Sequence, residues 1–223
     1  LDSVLLLNSN IKNNENNLLD QLVQSSIDSI ALNFKNICYT TFAVHLVNHG
    51  GEQNYPEYLK QNPQGLVPTL EENGHILSQS LAIIEYLEEI NPTPPLLPSN
   101  PLERAQIRAL AMIIACDMHP LNNLRVLQQL RLQFEATEAQ VNEWYHHWLK
   151  KGFDAFEMHL ERLPRKNPVC QGHDISLADI CLIPQVYNAK RFSFSMENYP
   201  LINEINDYCM TKPAFINAAP RVE

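Results

Sequence analysis

Positive charge is scarce in this chain: 16 Lys and Arg stand against 25 Asp and Glu, for a formal net charge of −9 and a pI near 5.3. With no basic run anywhere, nucleic acid and anionic membrane are disfavoured as main partners, and an anionic ligand needs local arginines. Long apolar runs are also missing. No stretch approaches the roughly 20 residues that span a bilayer, and the opening LDSVLLLNSN carries neither a basic n-region nor a small-residue cleavage site, so a cytosolic location is expected. The five cysteines, Cys38, Cys116, Cys170, Cys181 and Cys209, are odd in number, scattered and without a C-x-x-C pair. They read as reduced, mostly buried thiols rather than disulfides or metal ligands. No metal is expected, and no internal repeat is present.

What is there suffices for a sizeable core: 223 residues, 45% of them apolar, make one large domain or two modest ones. The boundary falls in NPTPPLLPSNP (91–101), where five prolines in eleven positions can continue neither helix nor sheet. Before it, ICYTTFAVHLV (37–47) is rich in β-branched and aromatic residues, and LVPTLEENGHIL (66–77) reads as two short strands joined by a turn at Asn73-Gly74. SLAIIEYLEEI follows, with Leu81, Ile84, Leu87 and Ile90 at helical spacing behind a Ser80 able to cap the helix. Beyond the linker the periodicity is helical over 102–132, 138–163, 177–187 and 202–210. The expected division is therefore residues 1–90, a linker at 91–101 and an all-helical domain over 102–223. Ser176-Leu177-Ala178-Asp179 has the form of a capping box and reads as helix nucleation. Trp144 and Trp148, at i and i+4, read as packing. Six asparagines in the ten residues 8–17 read as loop.

The segments IALNFKN, NPQGLVPTLEENGHILSQSLAIIEYLEE (62–89), ACDMHPLNNLRVLQ (115–128), WYHHWLKKGFDAFE (144–157) and ISLADICLIPQVYNAKRF (175–192) resemble the cytosolic glutathione transferases, and among them the zeta class, the maleylacetoacetate isomerases. That resemblance spans about Ile30 to Pro220. It implies a fold class of α/β plus all-α, a thioredoxin-like N-terminal domain followed by an all-helical C-terminal domain, with glutathione as cofactor and a homodimer as the assembly.

It also implies roles for particular residues. Val67 would pair its backbone with the cysteinyl part of glutathione, beside a cis Val67-Pro68 bond that exposes main-chain donors and acceptors. Gln79 and Ser80 would hold the γ-glutamyl carboxylate at a helix start, where free N–H groups and the dipole favour an anion. Gln53, in GGEQ, matches a further contact position. In HPLNNLR, His119, Asn123, Leu124 and Arg125 match glutathione contacts, His119 and Asn123 standing four apart and able to face one cleft. Arg191 matches an arginine that grips a substrate carboxylate, a task suited to a bidentate, permanently charged group.

The opening departs from the family. Its members run Arg-Ser-Ser/Thr-x-Ser-Tyr-Arg-Val-Arg into IALN, and the serines at that helix start lower the pKa of the glutathione thiol. Counting back from Ile30, only Ser25 coincides with a family serine, and every arginine is missing. Three origins are open: the hydroxyls come in a shifted register from Ser25 and Ser26, the site is lost, or the reading frame is displaced upstream of Ile30. For the last, CTT TTA GAT CAA CTT GTT CA encodes Leu18 to the start of Gln24 and reads Phe-Arg-Ser-Thr-Cys-Ser in the neighbouring frame. The implied activity is glutathione-dependent cis–trans isomerisation of maleylacetoacetate in tyrosine and phenylalanine breakdown. The alternatives are a maleylpyruvate isomerase, a general glutathione transferase, or an inactive glutathione-binding dimer.

Overall fold

The structure, a computed structural model, describes residues 2–7, 27–47 and 50–219. The Asn-rich segment and the Ser25-Ser26 pair lie outside the described residues. The chain divides into two compact units, one formed by residues up to Pro94 together with those from Lys212 on, the other by Pro95–Thr211.

The first unit is a mixed α/β layer. Strands β1 (Asp2–Leu7), β2 (Tyr39–Val44), β3 (Thr69–Glu72) and β4 (His75–Ser78) form one sheet in the order β2-β1-β3-β4. The two strands read from LVPTLEENGHIL are β3 and β4, paired antiparallel with Leu70 opposite Leu77. Asn73 (φ 51°) and Gly74 (φ 79°) supply the two left-handed residues that a tight primed hairpin turn requires. β1 is antiparallel to β2 and parallel to β3. α1 (Ile27–Phe34) precedes β2 in the chain.

Leu5 of β1, Leu70 of β3, Ile30, Ala31 and Leu32 of α1 and Ile83, Ile84 and Leu87 of α3 (Ser80–Ile90) are all essentially inaccessible to solvent, and α1 packs against α3. The buried stripe of α3 thus includes Ile83, and Ile90 is 49% exposed, a shift from the spacing read in the sequence. Ser80 is also not the cap: Gln79 holds the N-cap position at φ 74°, without a side-chain capping bond, and Ser80 begins the helix. The short helix α2 (Pro56–Gln61) completes the first part of this unit. Lys35, just past α1, is buried with its ammonium 2.6 Å from Glu88 Oε2, and it donates to the carbonyls of Asn91 and Pro94. The sequence groups residues from Lys212 on with the helical domain; here α9 (Pro213–Ile216) packs on α1, and Asn33 Nδ2 donates to Ala214 O at 3.2 Å.

The second unit is helical. α4 (Pro101–Met112) starts behind Asn100, whose side chain accepts from Leu102 N and Glu103 N. The continuous helix expected over 102–132 is interrupted: a π-helical turn spans Ile113–Met118, and α5 (Leu124–Phe134) begins afresh with Asn123 as N-cap. α6 (Glu138–Arg162) opens on a Thr137–Gln140 capping box. α7 (Leu177–Arg191) is buried on nearly every side over its first ten residues, as a central helix must be, and α8 (Pro200–Cys209) packs beside it. The Ser176–Asp179 box forms as read: Asp179 Oδ2 accepts from Ser176 N and Oγ, and Oδ1 accepts from Cys170 N. Trp144 and Trp148 make an edge contact at 5.7 Å. No disulfide joins any of the five cysteines; Cys170, Cys181 and Cys209 are buried, whereas Cys38 and Cys116 are exposed. Among the described residues no helix is long and apolar enough to cross a membrane.

Candidate functional site

Three loops of the first unit converge beside the start of α3. The first carries Gly51 and the 3₁₀ turn Glu52–Asn54, tied back by Glu52 Oε2, which accepts from His45 N at 2.7 Å. Gln53 folds over this turn: its Nε2 donates to Leu46 O at 3.3 Å, and its Oε1 is buried with no hydrogen-bond partner among the described residues. A buried amide oxygen without a donor is costly unless a ligand supplies one. Gly51, at φ 90°, is required there, because a Cβ would lie 2.7 Å from Leu46 O and closer still to the Gln53 amide.

The second loop, Asn62–Pro68, is held by its carbonyls. Tyr58 Oη donates to Leu66 O at 2.5 Å and lies 2.9 Å from the Thr69 hydroxyl, and Asn62 Nδ2 donates to Leu66 O at 2.7 Å. These bonds fix the backbone at Val67, where the Val67-Pro68 bond is cis, immediately ahead of β3. Gly65 lets this loop approach the first, since a Cβ there would sit 3.3 Å from Gln53 O. The third loop holds Gln79 in its left-handed conformation, a strained state for a residue with a side chain, and Gln79 Nε2 donates to Gln64 Oε1 at 2.7 Å. Gln53, Val67, Gln79 and Ser80 are thereby linked through loop-to-loop contacts. Ser80 Oγ, however, donates inward to Asp28 Oδ2 at 2.8 Å. Tyr58, Asn62, Gln64 and Asp28 escaped the sequence reading; the first three act through loop carbonyls and amides, which leave no periodic signal.

In the second unit the segment His119–Arg125 is anchored by α6. Trp144 Nε1 donates to Leu121 O at 2.8 Å, and Asn122 Nδ2 donates to Tyr145 O at 3.3 Å. Met118 packs where a Cβ on Gly152 of α6 would stand, which seats the π-helical turn directly before His119. π-helical turns recur at functional sites. The His119 ring is exposed at its surface yet crowded by protein around it, and this desolvation lowers its pKa below the ordinary 6.5. Asn123 Oδ1 accepts from Arg125 N at 3.2 Å, so Asn123 serves as a helix cap while its amide group remains able to donate. Leu124 and Arg125 open α5, with Arg125 exposed.

Arg191 ends α7, exposed, with its guanidinium carbon 5.8 Å from the centre of the Phe192 ring. That ring stacks on Tyr145 at 3.8 Å, and His146 Nε2 lies 2.7 Å from Phe192 O, so α6 fixes the end of α7 that bears Arg191. Tyr145 has its pKa pushed up to about 12 by burial, against the opposing pull of Arg191. Ser25 and Ser26 lie outside the described residues. Among the described residues no three His, Cys, Asp or Glu side chains converge to hold a metal ion.

Residues 29–95 match the family model described as glutathione S-transferase, N-terminal domain. A probable maleylacetoacetate isomerase of Vibrio cholerae is 46% identical over 191 residues, covering 86% of this chain and 88% of that protein. The crystal structure of a glutathione S-transferase from Legionella pneumophila is 57% identical, with a TM-score of 0.77 over 87% of this chain and 92% of the other. The holo structure of maleyl pyruvate isomerase, a bacterial zeta-class glutathione S-transferase, is 44% identical with a TM-score of 0.85, covering 88% and 92%. With this likeness running through both units, the chain belongs to the zeta class of the glutathione transferases, the maleylacetoacetate isomerase family.

Proposed function

We propose that this protein is a glutathione-dependent isomerase that converts maleylacetoacetate to fumarylacetoacetate in tyrosine and phenylalanine breakdown, acting in the cytoplasm as a homodimer. The observation that carries the reading is the convergence of the Gln53, Val67 and Gln79 loops beside the α3 N-terminus in a chain of this family. Those residues suit an extended thiol peptide. The orphaned Gln53 oxygen can accept from a peptide N–H, the backbone at Val67 is held in place to pair with a peptide, and the α3 N-terminus favours a carboxylate. One feature fits less well, the Ser80 hydroxyl turned to Asp28.

When bound, glutathione supplies a thiolate that adds reversibly to the conjugated double bond, so that the bond turns as a single bond before elimination restores it in the trans form. The chain's residues hold the reactants. His119, neutral at pH 7 because its pKa is lowered, Asn123, Leu124 and Arg125 contact glutathione, and Arg191, its helix end braced by Phe192, Tyr145 and His146, grips a substrate carboxylate with two charge-assisted hydrogen bonds. Ser25 and Ser26 are assigned the hydroxyl that stabilises the thiolate.

The test is retention of the full chain on immobilised glutathione, followed by an ultraviolet assay of maleylacetoacetate isomerisation; retention with turnover is expected. Binding without turnover favours the second reading, an inactive glutathione-binding dimer, which the missing arginines of residues 21–29 support. Failure of both removes the enzyme reading.

A further inference from the structure

The oxygen that the glutathione reading assigns to a ligand carboxylate is already engaged by a carboxylate of the chain. Asp28 is the second residue of α1 and is fully buried, and its Oδ2 accepts the Ser80 hydroxyl at 2.8 Å. It stands, counted back from Ile30, where the family pattern has valine. α1 and α3 pack together, so the side chain reaches the first residue of α3 from beneath. A buried carboxylate persists only with hydrogen bonds and compensating charge. The Ser80 hydroxyl supplies one such bond, and the place of Asp28 in the first turn of α1 sets it in the partial positive charge of that helix end. A γ-glutamyl carboxylate arriving from solvent depends on the same hydroxyl.

We propose that Asp28 is an internal competitor of the γ-glutamyl carboxylate: it draws the Ser80 hydroxyl inward, sets a negative charge behind the α3 N-terminus, and so weakens glutathione binding while disfavouring anionic groups at that end of the ligand. The inference rests on the glutathione reading above. Two like charges a few ångströms apart, at the effective dielectric of a protein surface, repel by more than the energy that corresponds to tenfold in affinity.

The experiment measures dissociation constants by calorimetry for glutathione and for glutathione amidated at the γ-glutamyl α-carboxylate, with the full-length wild type, Asp28→Val and Asp28→Asn. Asp28→Val is expected to tighten glutathione binding at least about tenfold while leaving the amide nearly unchanged, because only the anion is repelled. Asp28→Asn, which keeps the shape and loses the charge, should tighten it in the same direction and safeguards the test if the valine variant folds poorly. Ser80→Ala should cost little affinity in the wild type, where the hydroxyl is turned inward, and several-fold in Asp28→Val, where it is released. Equal glutathione affinity in wild type and both Asp28 variants overturns the competitor role and leaves the glutathione reading standing. Folded variants and wild type that bind neither ligand overturn both.

Discussion

At Gly51 a single hydrogen atom lets the loop that carries Gln53 fold back on itself. Its φ of 90° is open to glycine at no steric cost and is disfavoured for any residue with a Cβ; the space where that Cβ would stand is taken by Leu46 O and by the Gln53 amide. Gly51→Ala is therefore expected to destabilise the fold by about 1–3 kcal/mol and to weaken glutathione binding by displacing Gln53, which urea unfolding and calorimetry will show. His119 provides a pH test. Desolvation lowers its folded pKa below 6.5, so the unfolded chain takes up the proton first as pH falls. The stability tied to neutral His119 is present above about pH 6.5 and is lost as the pH falls through the lower folded value. Urea midpoints between pH 7.5 and 5 should fall more steeply for the wild type than for His119→Gln, and equal slopes would refute the assignment.

At the level of elements, one ion pair joins the end of α1 to α3 and to the chain leaving it. Lys35 is buried and meets Glu88 and two carbonyls. Removing one partner of such a pair strands the other, so Lys35→Ala should cost about 3–5 kcal/mol, whereas the double change Lys35→Met with Glu88→Leu should recover most of it, since apolar replacement of a whole pair is often neutral. Chemical denaturation of the three proteins checks this. The same scale explains what the sequence could and could not disclose. The β3–β4 hairpin and the Ser176–Asp179 box were legible because their hydrogen bonds close within a few residues. The break between α4 and α5 was not, since the apolar periodicity of 102–132 runs on through it. What seats the π-helical turn is Met118 against Gly152, thirty-four positions away in the chain.

For the whole molecule, the proposed homodimer predicts a solution mass of twice the 25.6 kDa of the chain. Leu132 and Phe134, at the end of α5, are 81% and 67% exposed, apolar surface that a partner subunit could cover. Light scattering should give the dimer mass for the wild type and a shift toward the monomer for the double change Leu132→Glu and Phe134→Glu. A wild type of single-chain mass would remove the dimer from the reading.

By itself the sequence determined the family, the α/β-then-helical order, the hairpin and the Ser176–Asp179 capping box, because these depend on residue spacing and on hydrogen bonds between near neighbours. It also pointed to Val67, Gln79 and Arg191 through segments that match the family. Tertiary structure alone decided that Ser80 faces Asp28 rather than solvent, that α6 braces both His119 and the end of α7, and that the segment from Lys212 joins the first unit. Each of those outcomes turns on a contact between residues far apart in the chain, where partner and direction are set by packing and not by any local pattern.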